Sequence, residues 1–443
     1  MISSTLPNQD FAQRPYWWDE APPQNEVRPS LSSSYDVAVV GGGFSGLATA
    51  LELARNGVKV VVFEADQFGF NASARNSGGV SFGIDFAAVT RWRKWAGDKG
   101  PSVPELAHGA LQSLIHMQDF IAKHAIDCDF RMNGRLTCAT TPEHYGILEK
   151  RMEATNRLFD ANAYMVTRGD QHEEIGSDRF HGVMVIPRSG QLQPARYLQA
   201  LLKLCREAGV HLVDRTTVRR MDRQGPSQFT VVTDDAAIQA TSVAVTTNAQ
   251  AMRLKGSPLG NRVIPVASHI IVTERLPQEL ANQVVPFHRT GADSRRLMAY
   301  FRRTPDGSRF LYGGRAAPSE VSPEEAAEKL YGRMIGSFPL LAGKRIDYAW
   351  GCKVAFTFDR LPHIGQIDGL YYVAGCNGNG VAMMNYLGFH LARKIIGGGN
   401  ESSCVFEQGN FPTLPFYTGK PWFLPLMTMG FGALDRREER KVQ

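Results

Sequence analysis

Apolar residues in this chain occur as short unbroken runs near both ends and as period-two alternation between them. Residues 37–40 (VAVV) form an unbroken run, which suits a strand buried on both faces. Residues 45–56 read as a helix, and 58–63 (VKVVVF) return to a strand. Strand, glycine turn and helix recur in that order at 370–396. Between these ends, segments 134–140, 182–186, 263–272, 297–303 and 310–314 alternate as strands do, and 106–124 and 142–159 carry helical patterns. Residues before about 34 are rich in proline and polar side chains and predict an extended arm.

The turn after the first strand adds chemistry to this pattern. Gly41, Gly43 and Gly46 fit G-x-G-x-x-G: the first permits a tight turn, the second lets backbone approach a pyrophosphate, and the third lets helix pack close to strand. Amides at the start of the following helix would face the phosphates, where the helix dipole favours negative charge. Glu64 closes the second strand, where a carboxylate accepts hydrogen bonds from ribose hydroxyls and repels a 2′-phosphate. Four elements in this order predict a bound dinucleotide other than NADP.

Later segments choose between NAD and FAD. Residues 69–79 (GFNASARNSGG) are too small and polar for a core helix and carry one fixed cation, Arg75, as a second phosphate or flavin loop would. The turn with Gly375, Gly378 and Gly380 would aim a second helix N-terminus at the flavin and stabilise negative charge on its reduced ring.

With these segments in place the sequence resembles the FAD-dependent amine and amino-acid oxidoreductases of the D-amino-acid oxidase and glycine/sarcosine oxidase type. The first strand–helix–strand unit, the ASARNSGG loop, residues 244–248 (AVTTN), FTFDRLPHIG at 356–365 and the turn at 375–381 stand in that family's order. PYWWDEAPP at 15–23 and the tail FYTGKPWFLPLMTMGFGALDRRE are similar to its gamma-glutamylputrescine oxidoreductase branch. The resemblance implies cofactor contacts from Gly41, Gly43, Phe44, Ser45 and Gly46, from Glu64 and Ala65, and from Ser73, Arg75, Asn76, Ser77 and Gly78. It extends them to Val218, Thr247 and Asn248, and to Gly378, Asn379, Gly380 and Val381.

The expected fold is α/β (α+β): a Rossmann-like FAD-binding domain, discontinuous in sequence, and a mixed-sheet substrate domain roofing the flavin. The partition is an arm at 1–34, FAD domain at 35–98, 193–249 and 347–399, substrate domain at 99–192 and 250–346, and a tail at 400–443 packed on the body. Substrate would bind between sheet and cofactor.

Composition narrows the alternatives. A chain of 443 residues, 43% hydrophobic and 21% charged, can bury a large core and exceeds the usual single domain. The net charge of +6 is small for that length and no long basic run interleaves with aromatics, which argues against nucleic acid as a partner. Six cysteines without a CxxC fit a reducing, cytoplasmic setting and argue against a metal site. No signal peptide is evident, and no apolar run reaches the roughly 18 residues that span a bilayer. The apolar stretch 422–431 lies close to positive charge, and packing over the body is favoured over peripheral membrane contact.

Amine oxidation moves a hydride equivalent from the carbon bearing nitrogen to flavin N5 and leaves an imine that hydrolyses. Desolvation that keeps the amine neutral is the main requirement, so no protein base is demanded. Oxygen reduction to hydrogen peroxide asks for a fixed cation near the flavin. By resemblance to the sarcosine oxidases that position falls on Arg309, with Lys353 as a second candidate. His269, Tyr300 and Arg302 lie on expected roof strands, and Arg302 could pair with a substrate carboxylate. Asn379 and Asn385 flank the late turn and could meet flavin or amine. The cysteine that tethers flavin in some family members corresponds to Val354, with Cys352 two residues earlier, so non-covalent FAD is expected. Cys376, Met383 and Met384 read as packing residues. The leading expectation is an FAD-dependent oxidoreductase acting on a primary or secondary small-molecule amine, such as a gamma-glutamylated polyamine, with O2 or another electron acceptor. The alternatives are an N-alkyl or D-amino-acid dehydrogenase, and a non-catalytic flavoprotein or redox sensor.

Overall fold

The computed structural model describes residues 6–8, 10–26, 30–97, 100–317, 321–397, 404–407 and 410–441. The expected domain boundaries at 98, 399 and 400 lie outside them. Two large sheets organise the chain. The first has Ser34–Val40 at its centre, parallel to Val60–Phe63 on one side and to Ala237–Val245 on the other. Parallel pairing continues to His211–Val213 and to Leu370–Ala374, and His363–Ile367 closes that edge antiparallel. The hairpin of Val218–Gly225 and Gln228–Thr233 shares the outer edge of Ala237–Val245 with Leu370–Ala374.

The unbroken apolar run is explained by burial on both faces. Val37 and Val39 pack with the helices Phe44–Arg55, Pro194–Glu207 and Gly380–Ile396. Ala38 and Val40 pack beneath the hairpin with Val213, Phe229 and Val231. Helices Phe44–Arg55 and Gly380–Ile396 cross at backbone contact: a Cβ on Gly388 would lie 2.4 Å from the Ser45 carbonyl oxygen. The Thr49 hydroxyl donates at 2.8 Å to that carbonyl and reaches the Gly388 carbonyl at 3.0 Å.

The second sheet runs Ile346–Thr357, Val263–Thr273, Phe310–Gly314, Ala299–Arg303, Thr290–Asp293, Arg135–Cys138, Val183–Ile186 and Tyr164–Val166. All its pairs are antiparallel except Thr290–Asp293 with Arg135–Cys138. Alternation gives it two faces. Ile270, Leu311 and Trp350 point into the core shared with the first sheet's helices. Ile271, Tyr312 and Ala349 point the other way, against Leu330, Tyr331 and Met334 of the helix Pro323–Ser337.

Two segments differ from the sequence reading, and the tail takes a form that the reading did not specify. Ile346–Thr357, expected with the cofactor unit from residue 347, instead pairs along Val263–Thr273 in the second sheet. The arm makes a 3-10 turn, Tyr16–Asp19, and inserts a fully buried Trp17, whose indole N–H donates to the Asn76 carbonyl at 2.9 Å. The tail forms a helix, Leu424–Arg440, tied to the body by ion pairs of Asp435 and Glu438 with Arg296 and of Glu439 with Arg295.

On an open helix face Gly→Ala stabilises by about 1 kcal/mol. At the crossing we expect the opposite sign: Gly388→Ala should destabilise by about 1–3 kcal/mol, because the added methyl meets backbone that cannot swing away. Thermal unfolding decides this, and a midpoint equal to or above that of the wild type would contradict so close an approach.

Candidate functional site

The site grows from the turn between Ser34–Val40 and Phe44–Arg55. Gly41 adopts φ +108°, and a Cβ on Gly46 would stand 1.9 Å from the Gly41 carbonyl oxygen. Gly43 caps the helix and faces the Ser73 hydroxyl, which accepts from the Phe44 N–H at 3.1 Å. Ser45 is buried in the helix crossing. Glu64 accepts from the Gly42 N–H at 2.8 Å and from the Asp66 N–H at 3.2 Å. Burial raises the Glu64 carboxyl above its ordinary value, and these amides pull it back. Ala65 follows at the surface.

The loop at 69–79 docks between the two sheets. The Asn76 side chain donates to the Ala72 and Ser73 carbonyls at 3.0 and 2.9 Å and accepts from the Gly78 N–H at 2.8 Å, which folds the loop on itself. Arg75 donates to the Gly351 carbonyl at 3.0 Å and lies over the rings of Trp18 and Phe70. Trp350 returns a bond to the Arg75 carbonyl at 2.9 Å. Burial lowers the Arg75 guanidinium from its ordinary value. Ser77 presents its carbonyl to Arg302.

The late turn completes the cradle. Gly375 and Gly378 have φ +86° and +85°, and the helix begins at Gly380, followed by buried Val381. Asn248 accepts from the Gly375 N–H at 3.1 Å, joining the end of Ala237–Val245 to the turn. Asn377, which the motif reading passed over, accepts from the Thr357 N–H at 3.0 Å while its own N–H donates to the Ala355 carbonyl at 2.9 Å. Its signal was the NGNG repeat, since asparagine tolerates the left-handed conformation it adopts here, φ 47°. Asn379 caps the late helix and packs against Gly83. Cys376 packs against Gly380, where a Cβ would stand 2.7 Å away. Val218 begins the hairpin and is buried with Val40 and Val213.

The structure redirects several substrate and catalytic expectations. Arg302 is 1% exposed and donates to the Ser77 and Leu192 carbonyls at 2.9 Å and to the Arg303 carbonyl at 3.0 Å, beneath the Trp17 ring. It fastens roof, loop and arm together and does not meet a substrate carboxylate. Arg309 donates to Asp347 at 2.6 Å and to the Thr273 carbonyl at 2.8 Å, over Tyr348 and Tyr16, so its charge is neutralised at the arm. His269 pairs across Gly314 and Gly351, and its parity with Ile271 turns it to the face that carries the helix Pro323–Ser337. Lys353 shares that parity with Gly351 and Ala349. Asn385 is 1% exposed and bonds Tyr197 and, at 3.2 Å, His116 within helix packing.

Tyr300 does face the first sheet. It lies across Gly313, and its hydroxyl meets that of Ser268 at 2.9 Å. Cys352, Val354 and Phe356 share this face by alternation, and the Phe356 ring is 3.9 Å from where a Cβ on Gly378 would stand. Burial pushes the Cys352 thiol up to about 12, against a smaller downward pull from Arg75. Ser268, missed earlier, is found by stepping two residues from Ile270 along an alternating strand.

A cradle of glycine backbone, two helix N-termini and a roofing sheet is the architecture of a dinucleotide-binding protein. The family model described as FAD dependent oxidoreductase matches residues 36–394, and the chain belongs to that family. It is 29% identical over 414 residues to gamma-glutamylputrescine oxidoreductase of Escherichia coli, covering 93% of this chain and 94% of that one. Glycine oxidase of Geobacillus kaustophilus is 26% identical over 377 residues, 82% of this chain and 93% of its own. The crystal structure of glycine oxidase from that organism superposes with TM-score 0.70 at 24% identity, covering 84% of this chain and 96% of the other. The chain is therefore an FAD-dependent oxidoreductase acting on amines or amino acids. No described helix is long and apolar enough to cross a membrane.

Two substitutions test this geometry. Gly46→Ala should weaken FAD retention at least about tenfold, ~1.4 kcal/mol, read as the flavin-to-protein absorbance ratio after purification. Full flavin occupancy would show that the turn tolerates a side chain. Arg302→Leu should lower stability by about 2–4 kcal/mol by stranding buried carbonyls, with Arg302→Lys intermediate. Retained stability accompanied by loss of substrate affinity would instead place Arg302 in the substrate site.

Proposed function

We propose that the chain oxidises the carbon–nitrogen bond of a gamma-glutamylated polyamine or related amine, with FAD held non-covalently between the two sheets. The glycine turn at 41–46 and the Phe44–Arg55 N-terminus fit a pyrophosphate, since a Cβ at Gly46 would fill space that only backbone can border. Thr247 adds a buried hydroxyl that has no hydrogen-bond partner among the described residues. Glu64 suits the ribose, Arg75 and Asn76 hold the loop beside the ring, and Gly378 to Val381 present the second helix start. FAD, when bound, supplies the two-electron acceptor.

The observation carrying the substrate reading is the character of the roof. Between the half covered by Trp17 and the Phe356 end, its inward face presents Ser268, Tyr300, Cys352 and Val354, which are hydroxyl, thiol and aliphatic groups. Such a surface strips water from an amine and favours the neutral form, whose lone pair is available. The Tyr300 hydroxyl, oriented by Ser268, orients the amine. With Arg302 committed to backbone carbonyls, a simple α-amino acid loses its expected carboxylate partner. An amine whose carboxylate lies far from the reacting carbon fits better, in keeping with the name of the Escherichia coli relative. Polyamine breakdown in the cytoplasm belongs to the same proposal.

The electron acceptor divides two readings. Reduction of oxygen to hydrogen peroxide is the first. A dehydrogenase passing electrons to another acceptor gains weight from the placement of Arg309 and Lys353, neither of which faces the cradle.

Anaerobic spectra with gamma-glutamylputrescine, sarcosine, proline and D-alanine test the substrate class. We expect the first to bleach the bound flavin fastest, and faster bleaching by D-alanine or proline would overturn the proposal. Readmitting air with a peroxide assay separates oxidase from dehydrogenase. Tyr300→Phe should lower kcat/KM about tenfold, ~1.4 kcal/mol, at unchanged flavin content. An unaltered kcat/KM would remove Tyr300 from substrate orientation.

A further inference from the structure

The tail helix Leu424–Arg440 divides its residues by sign as well as by polarity. Its acids face the body: Asp435 accepts from the Arg296 and Leu297 N–H groups at 3.1 Å, Glu438 pairs with Arg296 and Glu439 with Arg295. Its outward side carries exposed Leu426, Met427 and Met429 in the first half, then exposed Leu434, Arg436, Arg437 and Arg440. Among the described residues no ion pair holds these three arginines.

The apolar surface continues beyond the helix. Trp422 packs on Phe423, Phe423 on Tyr417, Tyr417 on Phe358 and Phe358 on Trp92, with ring centroids 5.2–6.4 Å apart. Trp92 touches Trp95 at 5.0 Å. Trp95 and Trp422 are 70% and 68% exposed and Phe416 is 94% exposed, so this aromatic chain, drawn from three distant parts of the sequence, emerges at the surface. Exposed Arg91, Lys94 and Lys420 border it.

We propose that this face docks on an anionic lipid bilayer, with Trp95, Trp422 and Leu426 entering the headgroup layer and the flanking lysines and arginines meeting lipid phosphates. Tryptophan has an apolar body and one N–H, which suits the interface between headgroups and acyl chains. A helix that presents apolar residues and cations while turning its acids inward matches an interfacial helix. Each basic residue near such a surface adds attraction that salt weakens. A protein partner would be expected to meet a flatter apolar patch whose centre is depleted of charge. Here the exposed cations include Lys94 and Lys420, a residue type depleted at protein interfaces. None of the residues that would meet the bilayer belongs to the cofactor cradle or to the inward face of the roof, so the proposal stands or falls independently of the substrate reading.

The full-length holoprotein should co-sediment with vesicles of equal parts phosphatidylglycerol and phosphatidylcholine and not with phosphatidylcholine alone. Arg437→Glu combined with Arg440→Glu should reduce the bound fraction about tenfold or more at physiological salt. Leu426→Glu with Met429→Glu should abolish binding, and amine turnover in solution should be unchanged in both variants. If the apolar variant fails to fold, judged by flavin content, the arginine variant decides alone. Equal binding to both vesicle types, or none to either, would overturn the proposal. A dimer that Leu426→Glu with Met429→Glu splits, without vesicle binding by the wild type, would assign the face to a second copy of the chain and also overturn it.

Discussion

Backbone-to-backbone approach at the start of the first helix is the constraint on which the rest of this protein depends. Gly46 brings Phe44–Arg55 against the Gly41 carbonyl, and Gly388 brings Gly380–Ile396 against the Ser45 carbonyl. Side chains at either position would separate the elements. These two approaches set both helix N-termini on the same parallel sheet, one following Ser34–Val40 and the other following Leu370–Ala374. Anion binding by helix starts and glycine turns follows from that arrangement, because amides left without helical partners gather where side chains are absent.

Buried arginines then connect the cofactor half to its roof. Arg302 and Arg75 both spend N–H groups on carbonyls of other segments: Arg302 on the loop and on Leu192, Arg75 on the roof's edge strand. A guanidinium suits this task because its planar fork carries five donors and its flat face stacks on rings. Trp17 and Trp18 provide those rings, which explains why a proline-rich arm that looked extended is instead built into the core. The arm covers the Arg302–Arg309 end of the roof and leaves the Tyr300–Ser268 end facing the cradle.

The parts of the molecule that were legible in sequence are those set by local chemistry. Unbroken apolar runs, glycine spacing and an acid at a strand end identify the parallel sheet and its turn, because each reports a backbone requirement within a few residues. The roof's strands were legible as elements but not as faces. His269 and Tyr300 both sit on alternating strands, and only the pairing register shows that one joins the helix side and the other the cradle side. Arg309 and Arg302 looked like free cations because their partners, Asp347 and the carbonyls of Ser77 and Leu192, are distant in sequence. The assignment of Ile346–Thr357 went astray for the same reason: its strand character was evident, while its neighbour, Val263–Thr273, is fixed by a pairing across some eighty residues of chain.

With Arg302 and Arg309 engaged elsewhere, the inward face of the roof from Tyr300 to Val354 carries hydroxyl, thiol and aliphatic groups, and at its far end the Arg360 guanidinium lies 4.5 Å over the Phe356 ring. A neutral, hydroxyl-bearing surface has opposite consequences for the two halves of the reaction. It favours the amine donor, since desolvation selects the uncharged nitrogen. It gives little help to reduction of oxygen, where negative charge develops and a fixed cation lowers its energy. Arg75 reaches the edge strand of the roof beside Cys352, but it is already engaged by the Gly351 carbonyl and by two aromatic rings. The two helix N-termini on the first sheet would stabilise charge at the proposed cofactor site from below. Such dipoles act on charge held by the flavin itself more than on a molecule above it, because their effect falls off within about one helical turn. On the proposed function, the hydroxyl-bearing part of the roof serves the reductive half of the cycle, and the choice of electron acceptor rests with groups at its margin, where Arg75 and Arg360 stand.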